Sequence, residues 1–166
     1  MLKVAFHDIY KHPLDNSHRF PMVKYELIPE QLLRENTCTP ENFFVPGKIN
    51  VNDILAAHKK TYLDKLDNQE FSKKEVRAIG FPMSPRLIVR EKLIAQGTIE
   101  GALSALKYGV AMNIAGGTHH AFSDTAEAFC ILNDQAIAAK HLINKNYCNK
   151  IMTVSYTHLR AHETKP

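Results

Sequence analysis

The amino-acid sequence predicts an α/β fold built around a parallel sheet. Three observations carry that reading. Brief apolar runs of strand length fall at residues 2–6, 43–45 and 110–114, and a further apolar run begins at Ile151. Long segments with helical spacing lie between them, as parallel strands need crossovers of a dozen residues or more. Strand and helix alternate, the signature of a sheet covered by helices.

Residues 2–6 are apolar and bounded by polar residues, which suits a buried strand, and a loop rich in His and Pro follows from His7 to Pro21. Residues 22–35 have the spacing of a helix, with Pro29 expected to kink or divide it because proline lacks a backbone donor. Residues 43–45 make a second strand before Pro46 and Gly47. Residues 51–75 are helical in pieces, with Ile54, Leu55, Leu63 and Leu66 among Lys and Asp. Ser84 followed by Pro85 starts a helix well: the hydroxyl accepts from an exposed amide, and proline in the first turn loses no needed donor. That helix runs to about Tyr108, with Ile99, Ala102, Leu103 and Leu106 expected on one core-facing side and Gly109 as its stop. The VAMNI segment, residues 110–114, is then expected to be a strand buried on both faces. Asn133 caps a last helix over residues 134–145, with Ile137, Ala138 and Leu142 inward.

Composition excludes several classes. The 166 residues are 45% hydrophobic and 23% charged, with 7 Gly and 8 Pro, which argues against collagenous, low-complexity and wholly disordered chains. Lys and Arg number 21 against 17 Asp and Glu, but the charges are interspersed without a polybasic block, so direct nucleic-acid binding is not expected. No stretch reaches the roughly 20 apolar residues of a membrane helix. The N-terminus lacks the apolar region of a signal peptide, and Cys38, Cys130 and Cys148 form no paired framework, so the expected location is the cytoplasm.

In parallel α/β sheets, sites gather beyond the carboxyl ends of strands. The loop in that position after VAMNI reads Ala115-Gly116-Gly117-Thr118-His119-His120-Ala121-Phe122. Its glycines permit positive φ and close backbone approach, while two adjacent imidazoles titrate near neutrality. In a strand, neighbouring His side chains would point to opposite faces, so only an irregular loop turns both to one substrate. One ring could then take a proton from water while the other steadies a developing oxyanion. The plainer alternative is that the pair is structural or merely exposed. For the isolated His7, His12, His18, His58 and His141, a surface or satisfied-core role is the expected one, and Cys130 reads as core. Asp124 and Glu127 are near in sequence, with nothing to show that they orient the rings.

The run from Gly80 to Ala139, with HPLDNSHRFPMVKY upstream, resembles the histone deacetylase superfamily, closest to its class IV-like branch and to bacterial acetoin-utilisation-type relatives. The segment Gly-Gly-x-His-His-Ala followed by Phe-Cys-x-x-Asn-Asp carries the likeness, which extends over residues 1–153. The resemblance implies a three-layer arginase/deacetylase-like fold and a Zn²⁺-dependent amidohydrolase removing acetyl groups from lysine side chains or small amines. It implies His120 as general base and acid, His119 as electrostatic partner, and Phe129 as a wall of the acyl-lysine tunnel. It further implies Gly117 among the substrate contacts and Arg19 behind the metal near the acetate pocket. Ala128 stands where many members have Gly.

The family pattern continues after residue 152 into an Asp-x-Asp-x-His segment that supplies two zinc ligands and carboxylates supporting the tandem histidines, whereas no Asp follows Asp134 in this chain. The metal ligands are therefore expected to be missing, with zinc belonging to a full-length parent. Residues 154–164 match, residue for residue, one frame of a common transposase sequencing adapter. The expectation is that residues 1–153 form the N-terminal portion of one deacetylase domain and residues 154–166 a non-native tail. His158 and His162, spaced i, i+4, offer a competing metal site, weakened by the lack of further ligands. Such a chain is expected to be inactive alone and marginally soluble, with an open sheet edge. The alternatives are a non-catalytic module that binds acyl-lysine or a partner, and an enzyme that borrows ligands from another chain.

Overall fold

A computed structural model describes residues 1–15 and 17–154. Three short parallel strands form one sheet in the order β2-β1-β3: β1 is Lys3–Ala5, β2 is Phe43–Phe44 and β3 is Ala111–Asn113. The first strand in the chain is thus the central one. Val4 pairs with Phe43 on one side and with Met112 on the other, and Val4 and Ala5 are fully buried.

The crossovers are helical, as parallel pairing demands. Helix α1 (Lys24–Arg34) lies between β1 and β2, and helices α2 (Val51–Leu55), α3 (Lys60–Asp67), α4 (Lys73–Ile79) and α5 (Pro85–Tyr108) lie between β2 and β3. Helix α6 (Asp134–Asn144) follows β3 and packs against α5, which also covers β1 and β3. Three of the starts have a local cause in a capping side chain. The Ser84 hydroxyl accepts from the Leu87 amide at 3.1 Å, Ser72 and Glu75 cap α4 reciprocally, and the Asn133 side chain accepts from the Ala136 amide at 3.0 Å. Gly109 ends α5 at φ +88°, where a side chain would be strained. Ile94, Ile131, Leu132 and Ile137 fill the core between these elements, with Ile54 and Leu66 beside them.

Four expectations need correction. Pro29 does not divide α1, which runs through it; the ring is buried, and that burial offsets the one missing donor. The strand of VAMNI is not buried on both faces: β3 is an edge strand, with Met112 38% exposed. The apolar stripe of α5 is buried at Ile99 but emerges toward its end, where Leu106 is 57% exposed, because the helix outruns the three-residue strand beneath it. The run at Ile151 forms no strand, and Met152 is 85% exposed. Residues 155–166, holding all but Val154 of the expected tail together with His158 and His162, lie outside the described residues.

Candidate functional site

The loop after β3 carries the paired histidines, and its shape follows from a chain of side-chain contacts. Asn113, the last residue of β3, donates to the Ile94 carbonyl and the Thr98 hydroxyl of α5, both at 2.8 Å. Gly116 passes so close that an added Cβ would stand 3.0 Å from Asp134 Oδ2 and 3.2 Å from Thr98 Oγ1. Gly117 has φ +91°, a conformation that a side chain disfavours. The turn closes with the Asp134 carboxylate accepting from the Thr118 amide at 2.7 Å and from the Gly117 amide at 3.0 Å.

This turn brings the two rings together. The His119 and His120 ring centroids are 4.1 Å apart at an interplanar angle of 41°, and both residues are exposed. His119 Nδ1 lies 3.0 Å from the Gly117 carbonyl oxygen. A carbonyl only accepts, so Nδ1 carries the proton and Nε2 keeps its lone pair. The Gly117 carbonyl also accepts from the His119 amide, so both polar backbone groups of Gly117 are engaged, the carbonyl within the loop and the amide by Asp134 of α6.

The segment opposite is held by the helices before it. Asn133 donates its side-chain amide to the Ala121 carbonyl at 2.9 Å, while its own backbone amide donates to Nε2 of buried His58 at 3.0 Å. His58 stacks on Tyr62, whose hydroxyl donates to the Ile131 carbonyl at 2.8 Å. Burial pulls the His58 value below the ordinary histidine range, which keeps the ring neutral and able to accept. His58 is therefore a core histidine bonded at Nε2, while its buried Nδ1 has no hydrogen-bond partner among the described residues. Cys130 is core as well, and burial pushes its thiol up to about 11. Asp124 does not orient the imidazoles: it pairs with Lys59 at 2.6 Å.

Phe129 sits in an aromatic cluster with ring centroids 4.9 Å from Phe20, 5.0 Å from Phe81 and 6.1 Å from His18. Arg19 joins it there, exposed, with its guanidinium carbon 5.0 Å from the Phe129 centroid. The His18 ring spans the wall, accepting from the Phe20 amide at 3.1 Å and donating to the Gly80 carbonyl at 2.8 Å. Phe129 itself is presented by a tight turn. Glu127 and Cys130 exchange backbone bonds, and the two residues between them, Ala128 and Phe129, have φ +49° and +67°. Two positive φ values match a type I′ turn, in which glycine is the favoured occupant and alanine costs about 1 kcal/mol. Ala128→Gly is accordingly expected to raise Tm by about 2 to 4 °C. Thermal unfolding followed by circular dichroism checks this, and an unchanged or lower Tm would contradict the strain assigned to Ala128.

Among the described residues, no three His, Cys, Asp or Glu side chains converge to hold a metal ion. The loop's carboxylates are already occupied, Asp134 by amides and hydroxyls and Asp124 by Lys59. Two adjacent imidazoles fall short of the three or four ligands zinc requires, so the described residues on their own do not fit a zinc site.

In the sequence Asp134 belongs to the Phe-Cys-x-x-Asn-Asp segment and opens a helix, with no contact to the histidine loop assigned to it. Its signal was nonetheless present: an acidic residue directly after a capping Asn, with two threonines near enough in the fold to donate to it. Arg90 and Glu91, both buried inside α5, carried no comparable signal.

The histone deacetylase domain family matches residues 15–156. An uncharacterized protein of Picosynechococcus sp. is 35% identical over 151 residues, covering 91% of this chain and 50% of that protein. The acetoin utilization protein AcuC of Staphylococcus aureus is 26% identical over 164 residues, covering 93% of this chain and 40% of its own length. A crystal structure of an HDAC homolog from Aquifex aeolicus superimposes with a TM-score of 0.71 at 23% identity, covering 88% of this chain and 42% of that one. That likeness shows the fold, a partial arginase/deacetylase-like α/β arrangement. The chain spans about half the length of the curated relatives it matches. Since the family match takes in the loop of paired imidazoles, the Asn-Asp that anchors it and the Phe129 turn, the chain belongs to the histone deacetylase family.

Proposed function

We propose that this chain is the N-terminal part of a deacetylase domain, residues 1–153, and that the parent removes acetyl groups from lysine side chains or small amines. The observation that carries the proposal is the placement of two imidazoles 4.1 Å apart beyond the end of β3, with the His119 ring fixed by the Gly117 carbonyl. Amide hydrolysis needs a group that takes a proton from the attacking water and later returns it to the departing amine. In this reading His120 is that group. His119 stays beside it, with its ring held by the Gly117 carbonyl. The carbon–oxygen bond forms as the proton leaves water, and the carbon–nitrogen bond breaks as the amine receives it, giving acetate and a free amine. Phe129 with Arg19 lines the approach of the acyl-lysine.

Zinc, which the family resemblance implies, would take its ligands from outside the described residues. The proposed location is the cytoplasm; among the described residues no helix is long and apolar enough to cross a membrane. Nucleic acid is not among the proposed partners.

Two measurements test this. The purified chain, titrated with zinc and offered an acetyl-lysine peptide or an acetylated diamine, is expected to show neither stoichiometric tight zinc nor turnover. Finding both would overturn the fragment reading. The uninterrupted parent reading frame, recovered by resequencing the source DNA across the codon for Val154, is expected to release acetate, and His120→Ala should lower its kcat by about 10² to 10⁴. A zinc-loaded parent without such activity would overturn the deacetylase reading. Acyl-lysine affinity independent of zinc would support a binding module instead.

A further inference from the structure

We propose that His18 is a positioning residue for the acyl-lysine approach, a two-ended latch that holds Arg19 and Phe20 in register with Phe129. This rests on the reading of Phe129 with Arg19 as that approach, and it assigns a role to a side chain that the proton-handling step does not use.

The last turn of a helix leaves carbonyls without partners inside the helix. At the end of α4 these groups organise the wall. The Ala78 carbonyl accepts from the Ala128 amide at 3.0 Å and the Ile79 carbonyl from the Phe129 amide at 2.7 Å, which fixes the turn that presents Phe129. The next carbonyl in line, that of Gly80, accepts from His18 Nε2 at 2.8 Å. Gly80 also seats the aromatic ring: a Cβ there would stand 2.7 Å from Phe129 Cε1 and 3.0 Å from Cδ1. Three consecutive residues therefore place both the Phe129 turn and the imidazole opposite it.

The second end of the latch is Nδ1, which accepts from the Phe20 amide at 3.1 Å, so the ring holds the direction of the backbone that follows it. An amide only donates and a carbonyl only accepts, so the two bonds together require one neutral form of the imidazole, with its proton on Nε2. Among the described residues 17–21, the bond to Gly80 is the one hydrogen bond that reaches beyond this loop and α1. The remaining attachments are ring contacts. Phe20 lies 4.9 Å and the Arg19 guanidinium carbon 5.0 Å from the Phe129 centroid, while the His18 ring stacks on Phe81 at 5.8 Å. Apolar burial is non-directional, whereas hydrogen bonds at both ends of one rigid ring fix distance and angle. Without the latch, Arg19 and Phe20 would keep apolar neighbours but lose their register against Phe129.

Substitution separates the two ends. The side-chain amide of Gln extends about as far as an imidazole Nε2 and can donate to the Gly80 carbonyl. Asn instead reproduces the Nδ1 acceptor toward the amide two residues on, as in an Asx turn, and is too short to reach Gly80.

The first readouts require no turnover. In the chain labelled with ¹⁵N-histidine at neutral pH, long-range proton–nitrogen correlation is expected to show His18 protonated at Nε2 and bare at Nδ1, its signals assigned by their loss in His18→Gln. Nuclear Overhauser contacts between the Phe20 and Phe129 rings, assigned by their loss in Phe129→Leu, report the register. His18→Asn should weaken them about twofold or more, and His18→Gln should keep them near the wild-type intensity. In the zinc-loaded parent, His18→Asn should raise KM for an acetyl-lysine peptide about fivefold to tenfold with kcat within about twofold, and His18→Gln should bring KM back to within about twofold of wild type. The proposal falls if wild-type His18 carries its proton on Nδ1, a result that does not depend on whether any variant folds. It also falls if folded His18→Asn keeps the full ring contacts, if His18→Gln is as impaired as His18→Asn, or if an active parent keeps its KM in His18→Asn. An inactive zinc-loaded parent would overturn the deacetylase reading while leaving the tautomer and contact results intact, so the two failures are distinguishable.

Discussion

Arg90→Met is expected to destabilise the protein by about 3 to 5 kcal/mol. Arg90 and Glu91 are consecutive residues of α5 and are 2% and 1% exposed. The Arg90 guanidinium donates through Nη1 to Glu91 Oε1 and through Nε to the Tyr10 carbonyl, the latter at 2.7 Å. Its guanidinium carbon lies 5.0 Å from the Tyr25 ring centroid and 6.0 Å from that of Phe81. Glu91 Oε2 has no partner among the described residues. Removing Arg90 would thus take away the only hydrogen-bonding partner that the Glu91 carboxylate has among the described residues, and the donor to a backbone carbonyl, in one step. Burial already pushes the Glu91 carboxyl above the usual carboxylate range, with Arg90 pulling it back down.

The sign of the pH dependence follows. With Arg90 gone, the folded state favours protonated Glu91 more strongly than the unfolded state does, so the variant regains stability as pH falls through the raised folded value. Urea unfolding at neutral and mildly acidic pH measures both effects. The double change Arg90→Met with Glu91→Leu, which removes both charges, should cost less than Arg90→Met alone. A single variant within about 1 kcal/mol of wild type, or a double variant less stable than the single, would contradict this account.

Phe81→Ala should cost a similar amount, about 3 to 5 kcal/mol. Phe81 is fully buried, and it supports the Phe129 wall from behind: its ring centroid is 5.0 Å from both Phe20 and Phe129 and 5.8 Å from His18. Its loss would open a cavity beside Phe129 and remove one of the two rings near the Arg90 guanidinium. Because the two residues touch, Phe81→Ala and Arg90→Met should not add. A double-mutant cycle by urea unfolding is expected to give a coupling energy above about 0.5 kcal/mol. Strict additivity would mean that the wall and the buried ion pair are independent.

Legibility differed from residue to residue for physical reasons. Helix α5 was readable to its ends because its punctuation is local: Ser84 and Pro85 at one end, Gly109 at the other. The three strands were recognisable as apolar runs, but the order β2-β1-β3 depends on pairing between distant segments. The edge position of β3, and so the exposure of Met112, did not follow from its own composition. His119, His120 and Phe129 stood out through their motifs. Arg90 and Glu91 did not, because a charged pair in a helix ordinarily signals solvent. Their burial is decided by Tyr10, Tyr25 and Phe81, which reach them from elsewhere in the chain. The contacts of Asp134 were hidden for the same reason, since its donors Thr98, Gly117 and Thr118 assemble around it only when β3, α5 and α6 meet.

The middle position of β1 also governs when this protein can fold. Its two neighbours are Phe43–Phe44 and Ala111–Asn113, so β1 must wait for more than a hundred further residues to be synthesised before its second partner exists. At about 5 to 20 residues per second the nascent chain spends several seconds with that strand half-paired. Non-local closure of this kind is slow, and chaperone capture during synthesis should therefore concentrate on the interval before Ala111 emerges.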